Sequence, residues 1–389
     1  MTDAEFEALV ERLEQQARRG PAAYRRKVIL LACVGYAYVA LVLAIAGGLF
    51  VGALATTPYL KGLSLKLAFI FGAFFWVVAR AMWIRLEPPQ GRRITPSEAP
   101  ELFKLIVGLQ RSLRAPPFHD VLITSDFNAA VVQVPRLGLL GWHYNTLLIG
   151  LPLMKALTRQ QLAAVLAHEF GHLAGGHGRL GNWVYRVRYG WARLVHALQE
   201  RHSAGSFAFR PFLKWYAPYF SAVSFPLARA NEYEADAASA RLTSPTAAAA
   251  ALTSVNVIGS FLEARYWPDL HRKADEVPQP SFAPYTQMGE VIGAGIDATA
   301  VRGWLEAAMA EKTSVANTHP ALADRLQALG QPPLLALPSA GEAADALLGR
   351  ALEPITAEFD RGWRDAIQPS WERRHREVQE ARAQLATLD

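Results

Sequence analysis

Two histidines stand four residues apart with a glutamate directly after the first, in the run His168-Glu169-Phe170-Gly171-His172. On a helix, positions i and i+4 lie on one face, so both imidazoles can be offered to a single metal ion while Glu169 lies alongside to take a proton from water. That is the equipment of metal-assisted hydrolysis. The flanking residues Ala163, Ala164, Val165, Leu166, Ala167, Phe170, Leu173 and Ala174 are apolar nearly all round the helix, which predicts a buried segment. Buried imidazoles need partners, and a metal supplies one. Cys33 is the single cysteine, so neither a disulfide framework nor a thiolate metal site can form within the chain. Any metal must be held by histidines and carboxylates.

A catalytic zinc takes three protein ligands and keeps a fourth position open, so a third ligand must come from elsewhere. Two candidates compete. In HEFGHLAGGH the last residue is His177, but the extended three-histidine pattern requires its third histidine one position later, where Gly178 stands. The other candidate is the segment Ala230-Asn231-Glu232-Tyr233-Glu234-Ala235-Asp236, where Glu232 and Asp236 share a helix face and Glu234 points away. Glu232 could ligate the metal while Asp236 accepts the free ring N–H of His168 or His172, fixing its tautomer. Taken alone, the same segment reads equally as a solvated acidic helix.

The elements that must position these residues are mostly helical. Thr158-Arg159-Gln160-Gln161 has the form of a capping box and opens the helix that carries the two histidines. Another such box, Thr95-Pro96-Ser97-Glu98, predicts a helix running to about Leu113. Val121 to Pro135 and Tyr144 to Gly150 are rich in β-branched and aromatic residues and predict a small β-hairpin or sheet. Helices are expected over Ala228 to Leu242 and from Ser244-Pro245 to near Tyr266. Pro268 to Pro284 reads as a loop and Gln331 to Gly341 as a linker. A charged helical tail over 342–389 would cover the catalytic domain or bind a partner. The expected fold class is mainly α (α+β), with the metal site in a domain spanning 94–330.

The N-terminal part is of another kind. The chain is 51% hydrophobic and only 19% charged, and the apolar excess is concentrated there. Val28 to Ala55 carries no charge and exceeds the roughly 20 residues that cross a bilayer. A second apolar run, Leu63 to Ile84, is interrupted only by Lys66 and Arg80, and together the two predict a transmembrane helical hairpin over 28–84. Arg18, Arg19, Arg25, Arg26 and Lys27 precede the hairpin and Arg85, Arg92 and Arg93 follow it. The positive-inside rule therefore puts both ends, the segment 1–27 and the catalytic domain, on the cytoplasmic face of a multi-pass protein of the cell or inner membrane. The net charge of +6 is scattered in pairs such as Arg373-Arg374, with no basic tract for nucleic acid, so the lipid bilayer is the expected partner.

With HExxH followed some 60 residues later by Asn231-Glu232-Tyr233-Glu234-Ala235-Asp236, the chain resembles the HtpX-like and type I CaaX prenyl-protease group of membrane zinc metallopeptidases. The resemblance covers about Ile94 to Leu329 and includes Asn128-Ala129 ahead of a strand and Thr318-His319-Pro320 with Arg325 downstream. It implies a gluzincin-type domain holding one zinc per chain through His168, His172 and Glu232, with Glu169 as general base. It also implies that His319 and Arg325 lie beside the zinc and assist the substrate or transition state, and that an extended peptide pairs with the strand at Asn128 and Ala129. The activity implied is endopeptidase cleavage of unfolded or membrane proteins, as in protein quality control. A non-proteolytic membrane-anchored scaffold or chaperone is the alternative. One departure stands out: Arg186, Arg188, Arg193, Arg201, Arg210 and Lys214 oppose two further membrane crossings between the histidines and Glu232. The aromatic stretch Phe212 to Leu227 instead suits an interfacial lid that gates substrate.

Overall fold

The computed structural model describes residues 3–60, 62–82, 88–135, 143–174, 187–188, 191, 209–294, 296–315, 317–339 and 341–387. Helix α1 (Asp3–Arg19) leads through Gly20 into α2 (Pro21–Ala55), and a short turn, Thr57–Leu60, returns the chain into α3 (Gly62–Met82). The absence of any charge in α2 after Lys27, and Pro21 at its first position, account for its length and start. Helices α2 and α3 lie against one another as the expected hairpin. Gly72 makes the close fit possible, since a Cβ there would meet the Phe50 ring at 2.9 Å. Much of the hairpin's apolar surface points outward, with Leu30 at 67%, Phe69 at 79% and Trp76 at 64% exposure.

The remainder begins with strand β1 (Arg92–Arg93), helix α4 (Pro100–Leu113), and strands β2 (Asp120–Thr124), β3 (Ala129–Pro135) and β4 (His143–Gly150). Glu98 accepts hydrogen bonds from both the backbone N–H and the hydroxyl of Thr95, so the expected box forms, but as a turn ahead of the helix. Pro100 at the first helical position sets the start of α4 instead. The strands form one mixed sheet of order β1-β2-β4-β3. β4 runs parallel to β2 and antiparallel to β3, with Val121 opposite Leu147 and Val131 also opposite Leu147. Among the described strands, β3 is therefore an edge.

Next come α5 (Leu151–Ala156), α6 (Arg159–Ala174), α7 (Arg210–Leu242) and α8 (Pro245–Phe261). A π-turn, Leu262–Tyr266, joins α8 to α9 (Trp267–Arg272), so the segment expected to be a loop from Pro268 begins as helix. The looser turn lets Pro268, which has no N–H, continue the axis. Then follow α10 (Pro284–Gly293), α11 (Ala298–Ala310), α12 (Leu322–Leu329), α13 (Glu342–Leu348) and α14 (Leu352–Ala386).

Among the described residues, two large apolar clusters position the site. One lies between the sheet, α4, α6 and the C-terminal helices, with Leu102, Ile123, Leu147, Leu166 and Phe170 buried beside Ala343, Leu347, Leu348 and Ile355. The C-terminal region is thus built into the core by α13 and the start of α14. The other lies around α7, where Leu213, Tyr216, Phe220, Val223 and Phe225 pack with Val10 and Leu13 of α1 and Tyr24, Val28 and Ala32 of α2. Burying each large apolar side chain contributes on the order of 1.5–3 kcal/mol, enough to hold α7 together through Pro218 and Pro226. Residues 212–227, expected as a lid, are therefore the first half of the helix that carries Glu232. Two tyrosines stitch it to α2: the Tyr24 hydroxyl donates to Val223 O at 2.7 Å and the Tyr216 hydroxyl to Leu31 O at 2.9 Å.

Candidate metal centre

Helix α6 starts where its capping box predicts. The Thr158 N–H donates to Gln161 Oε1 at 2.9 Å, and the Gln161 N–H donates to Thr158 Oγ1 at 3.2 Å. Two and a half turns on, His168 and His172 leave the same face of the helix, with their Nε2 atoms 3.2 Å apart and their rings nearly perpendicular at 87°. Gly171 lies between them against α7. A Cβ at that position would meet Ala235 Cα at 3.0 Å and the Cβ atoms of Ala235 and Ala238 at 3.3 Å. The missing side chain is what allows α6 and α7 to approach closely enough for Glu232 to reach the histidines. Ser239 fastens the same crossing by donating to Ala164 O at 2.7 Å.

Across that contact, Glu232 Oε2 lies 3.6 Å from His168 Nε2 and Glu232 Oε1 lies 3.7 Å from His172 Nε2. One helical turn further, Asp236 Oδ1 lies 2.9 Å from His168 Nδ1. Asp236 is in turn gripped by Arg325 of α12 through Nε to Oδ2 at 2.8 Å and Nη2 to Oδ1 at 2.6 Å, a two-pronged charge-assisted pair. His319, on the loop before α12, brings Nε2 to 3.3 Å from Glu232 Oε2. Its orientation is set by Asn317, whose Oδ1 accepts the His319 N–H at 3.0 Å and lies 3.1 Å from its Nδ1.

Electrostatics follow from this packing. Burial pushes the Glu169 carboxyl up to about 7, against the lowering influence of His168. At His168 burial opposes the charged form, but the acceptors Asp236 and Glu232 prevail and raise it to about 9. Burial and the neighbouring His168 lower His172 to about 4. Burial would raise Glu232 and Asp236; the facing imidazoles of His168, His172 and His319 bring the former down to about 2, and hydrogen bonds from Arg325 and His168 bring the latter down to about 2.

The donor set fits a metal ion. One ligand atom each from His168, His172 and Glu232 lies within 4.8 Å of the others. Glu232 Oε2 is buried without a hydrogen-bond partner, an orphaned acceptor that a cation would satisfy. Two imidazoles and a carboxylate are a zinc-type set, and Asp236 on His168 Nδ1 turns the Nε2 lone pair toward the common point.

Residues 140–332 match the model of peptidase family M48. The chain belongs to this family. No curated protein and no solved structure matches it. The M48 domain is that of a zinc metallopeptidase, and the His168, His172 and Glu232 cluster lies within the matched residues. The competing ligand His177 falls outside the described residues.

Other expected residues of this M48 chain converge on one cleft, lined by Asn128, Val165, Glu169, Leu252, Val255 and His319 among others. Asn128 turns its side chain onto its own chain, Oδ1 accepting the Ala129 N–H at 2.9 Å, while its carbonyl accepts the Gly150 N–H at 2.8 Å. With Asn128 facing β4, the alternation of an antiparallel ladder turns the peptide groups of Ala129, Val131 and Gln133 to the free edge of β3. The Val131 N–H meets the Glu169 carboxylate there. Sequence reading missed Val131, Asn317 and Gly171. Nothing local marks the first two, but a glycine on the inner face of a metal helix is a sign of close helix approach. Arg325, expected beside the zinc, lines the same cleft and gives two of its donors to Asp236.

Proposed function

We propose that this chain is a membrane-anchored zinc endopeptidase in which His168, His172 and Glu232 hold the metal and Glu169 is the general base. The observation that carries this reading is the convergence of those four side chains at the free edge of β3, inside a cleft with apolar walls. A zinc ion held there would supply the Lewis acidity that makes water nucleophilic near neutral pH and polarises a peptide carbonyl. The chain's own groups do the rest. An extended polypeptide pairs with the groups left open at that edge, the carbonyls of Ala129 and Val131 and the peptide of Gln133, so that backbone hydrogen bonds give affinity with loose side-chain selectivity. Glu169 takes a proton from the attacking water and returns it to the departing amine nitrogen. Asp236 keeps His168 in the tautomer with Nδ1 protonated, and Arg325 fixes Asp236. When its ring is protonated, with Nδ1 held by Asn317, His319 donates from Nε2 to the developing oxyanion, a contact typically worth about 3–4 kcal/mol.

Strand pairing requires an unfolded substrate, which favours unfolded or membrane proteins. The anchor is the α2–α3 hairpin: α2 is long and apolar enough to cross a bilayer, and its outward face carries Leu30, Leu41, Ile45 and Val51. The continuous helical run Pro245–Asp275, from α8 through α9, passes the same length test, but most of its apolar stretch is buried among the other helices, so those residues serve the core. The basic residues flanking the hairpin put the catalytic domain on the cytoplasmic side.

The test uses detergent-purified full chain and a fluorescently labelled unfolded casein. Wild type should carry about one zinc and release peptides. Glu169→Gln should keep the zinc and lose hydrolysis by about 10²–10⁴-fold. Glu232→Ala should lose the zinc. Zinc-loaded wild type that leaves casein and a detergent-solubilised membrane protein intact would overturn the endopeptidase reading and favour a scaffold.

A further inference from the structure

Helix α1 is the first element of the chain, yet it is tied to the far end of the catalytic domain. Its Val10 and Leu13 are fully or almost fully buried against α7. Beside them Glu14 is paired with Nη1 of Arg229, which lies one helical turn before Glu232 on α7. The same guanidinium reaches onward: Nη2 donates to Ser314 O at 2.7 Å, and its face lies over the Phe225 ring at 4.7 Å from the centroid. Ser314 belongs to the loop that carries Asn317 and His319. The next residue, Val315, packs into the cluster formed by α1, α2 and the first half of α7. Arg229 is therefore a bracket with three attachments, on α1, on the metal helix and on the loop that holds His319 3.3 Å from Glu232.

We propose that Arg229 and Glu14 are positioning residues: α1, through this pair, holds the His319 loop over the metal centre, so the N-terminal helix is a working part of the active site. Neither residue touches the reacting atoms. Their charges are complementary and nearly buried, with side-chain exposures of 13% for Arg229 and 20% for Glu14. Removing the carboxylate leaves Arg229 without its fixed counter-charge and free to turn away from Ser314. The loop would then lose its restraint at the α1 side while Asn317 continues to orient the His319 ring within it. The consequence is a site that binds metal normally and turns substrate over poorly. This inference rests on the proposed endopeptidase activity for its kinetic consequence, but its structural content can be tested without that activity.

The experiment compares Glu14→Gln and Arg229→Gln in the full detergent-solubilised chain. Zinc per chain, kcat and KM on labelled casein, and hydrogen exchange of the peptide covering 311–321 in metal-free protein are measured. Zinc content should not change, exchange across 311–321 should rise about tenfold, and kcat should fall about tenfold with KM little altered, the scale expected for losing a hydrogen bond to a charged group. In a His319→Ala background the same substitutions should cost no further activity, because the residue they position is gone. Unchanged exchange in 311–321 in both variants would overturn the proposal, and so would an equal loss of kcat with and without His319. If wild type proves inactive on casein, the endopeptidase reading falls, while the exchange measurement still decides whether α1 holds the loop. Should Arg229→Gln fold poorly, Glu14→Gln, a milder change on α1, decides alone.

Discussion

Gly171 offers the sharpest test of how the metal site is assembled. An added methyl group in Gly171→Ala would stand 3.0 Å from Ala235 Cα and 3.3 Å from the Cβ atoms of Ala235 and Ala238. Carbon atoms pack favourably at about 3.5–4.0 Å, so α6 and α7 must separate by roughly half an ångström or more. The obstacle is helix backbone, which no rotamer change can move aside. Overpacking of this kind costs about 1–3 kcal/mol. Because α6 carries both histidines and α7 carries Glu232 and Asp236, the same displacement lengthens the ligand separations and pulls Asp236 from His168. Disturbing partners of metal ligands costs about 10–100-fold in affinity. The expected result is a metal-free protein less stable by about 1–3 kcal/mol and a zinc Kd raised at least tenfold, read by denaturant unfolding and chelator competition. Ala235→Gly removes one of the two crowded methyl groups and should restore part of the affinity to the double variant. A Gly171→Ala protein that binds zinc like wild type would refute the claim that this glycine sets the helix spacing.

Three further outcomes follow from the same geometry. Arg325→Lys replaces a two-pronged grip on Asp236 by a single point charge, so zinc affinity should fall about 10–100-fold with the fold intact; unchanged affinity would remove Arg325 from the site's support. Gly35→Val would place a carbon 2.5 Å from the Tyr216 hydroxyl and 2.7 Å from the Trp191 ring, and should lower the melting temperature of detergent-solubilised protein by about 2–8 °C as α2 is forced from α7. Free zinc at about a hundred times its Kd should stabilise the metal-free chain by about 2.7 kcal/mol in wild type and by almost nothing in Glu232→Ala, which differential scanning measurements can compare.

What was legible in the sequence was what is local. The two histidines and Glu169 depend on i, i+4 spacing, and the capping box at Thr158 and Gln161 forms as written because its partners are three residues apart. Glu232 and Asp236 were legible as one helix face, and their choice over His177 came from the resemblance. Residues 212–227 were misread because two prolines argue for a broken segment, whereas burial of Tyr216, Phe220 and Phe225 against α1 and α2 overrides that preference. Charge density made 342–389 look like an appended tail, but Ala343, Leu347 and Ile355 form an apolar stripe that closes the core over α4 and α6. The pair of Glu14 with Arg229 spans 215 positions, and no periodicity or motif could have joined them.

Helix α7 makes the α2–α3 hairpin and the candidate metal centre one mechanical object. Its first half is bound to α2 by the hydroxyls of Tyr24 and Tyr216 and to α1 by buried apolar contacts; its second half holds Glu232 and Asp236. A helix transmits a displacement along its length far better than a loop would, because backbone hydrogen bonds hold turn to turn and, at Pro218 and Pro226 where such a bond is missing, the packed side chains resist bending. A shift of the hairpin relative to the sheet therefore moves one of the three candidate ligands, Glu232, against the other two, which are fixed to α6. On the proposed reading, the hairpin sets the geometry of the site, and that is a different function from tethering it. If so, a chain beginning at Ile94 would lose zinc affinity even when soluble and folded around the α4–α6 core, since α7 would keep Gly171 as its neighbour but lose the surfaces that hold its first half straight. A truncated protein that binds zinc as tightly as the full chain would reduce α1, α2 and α3 to a tether.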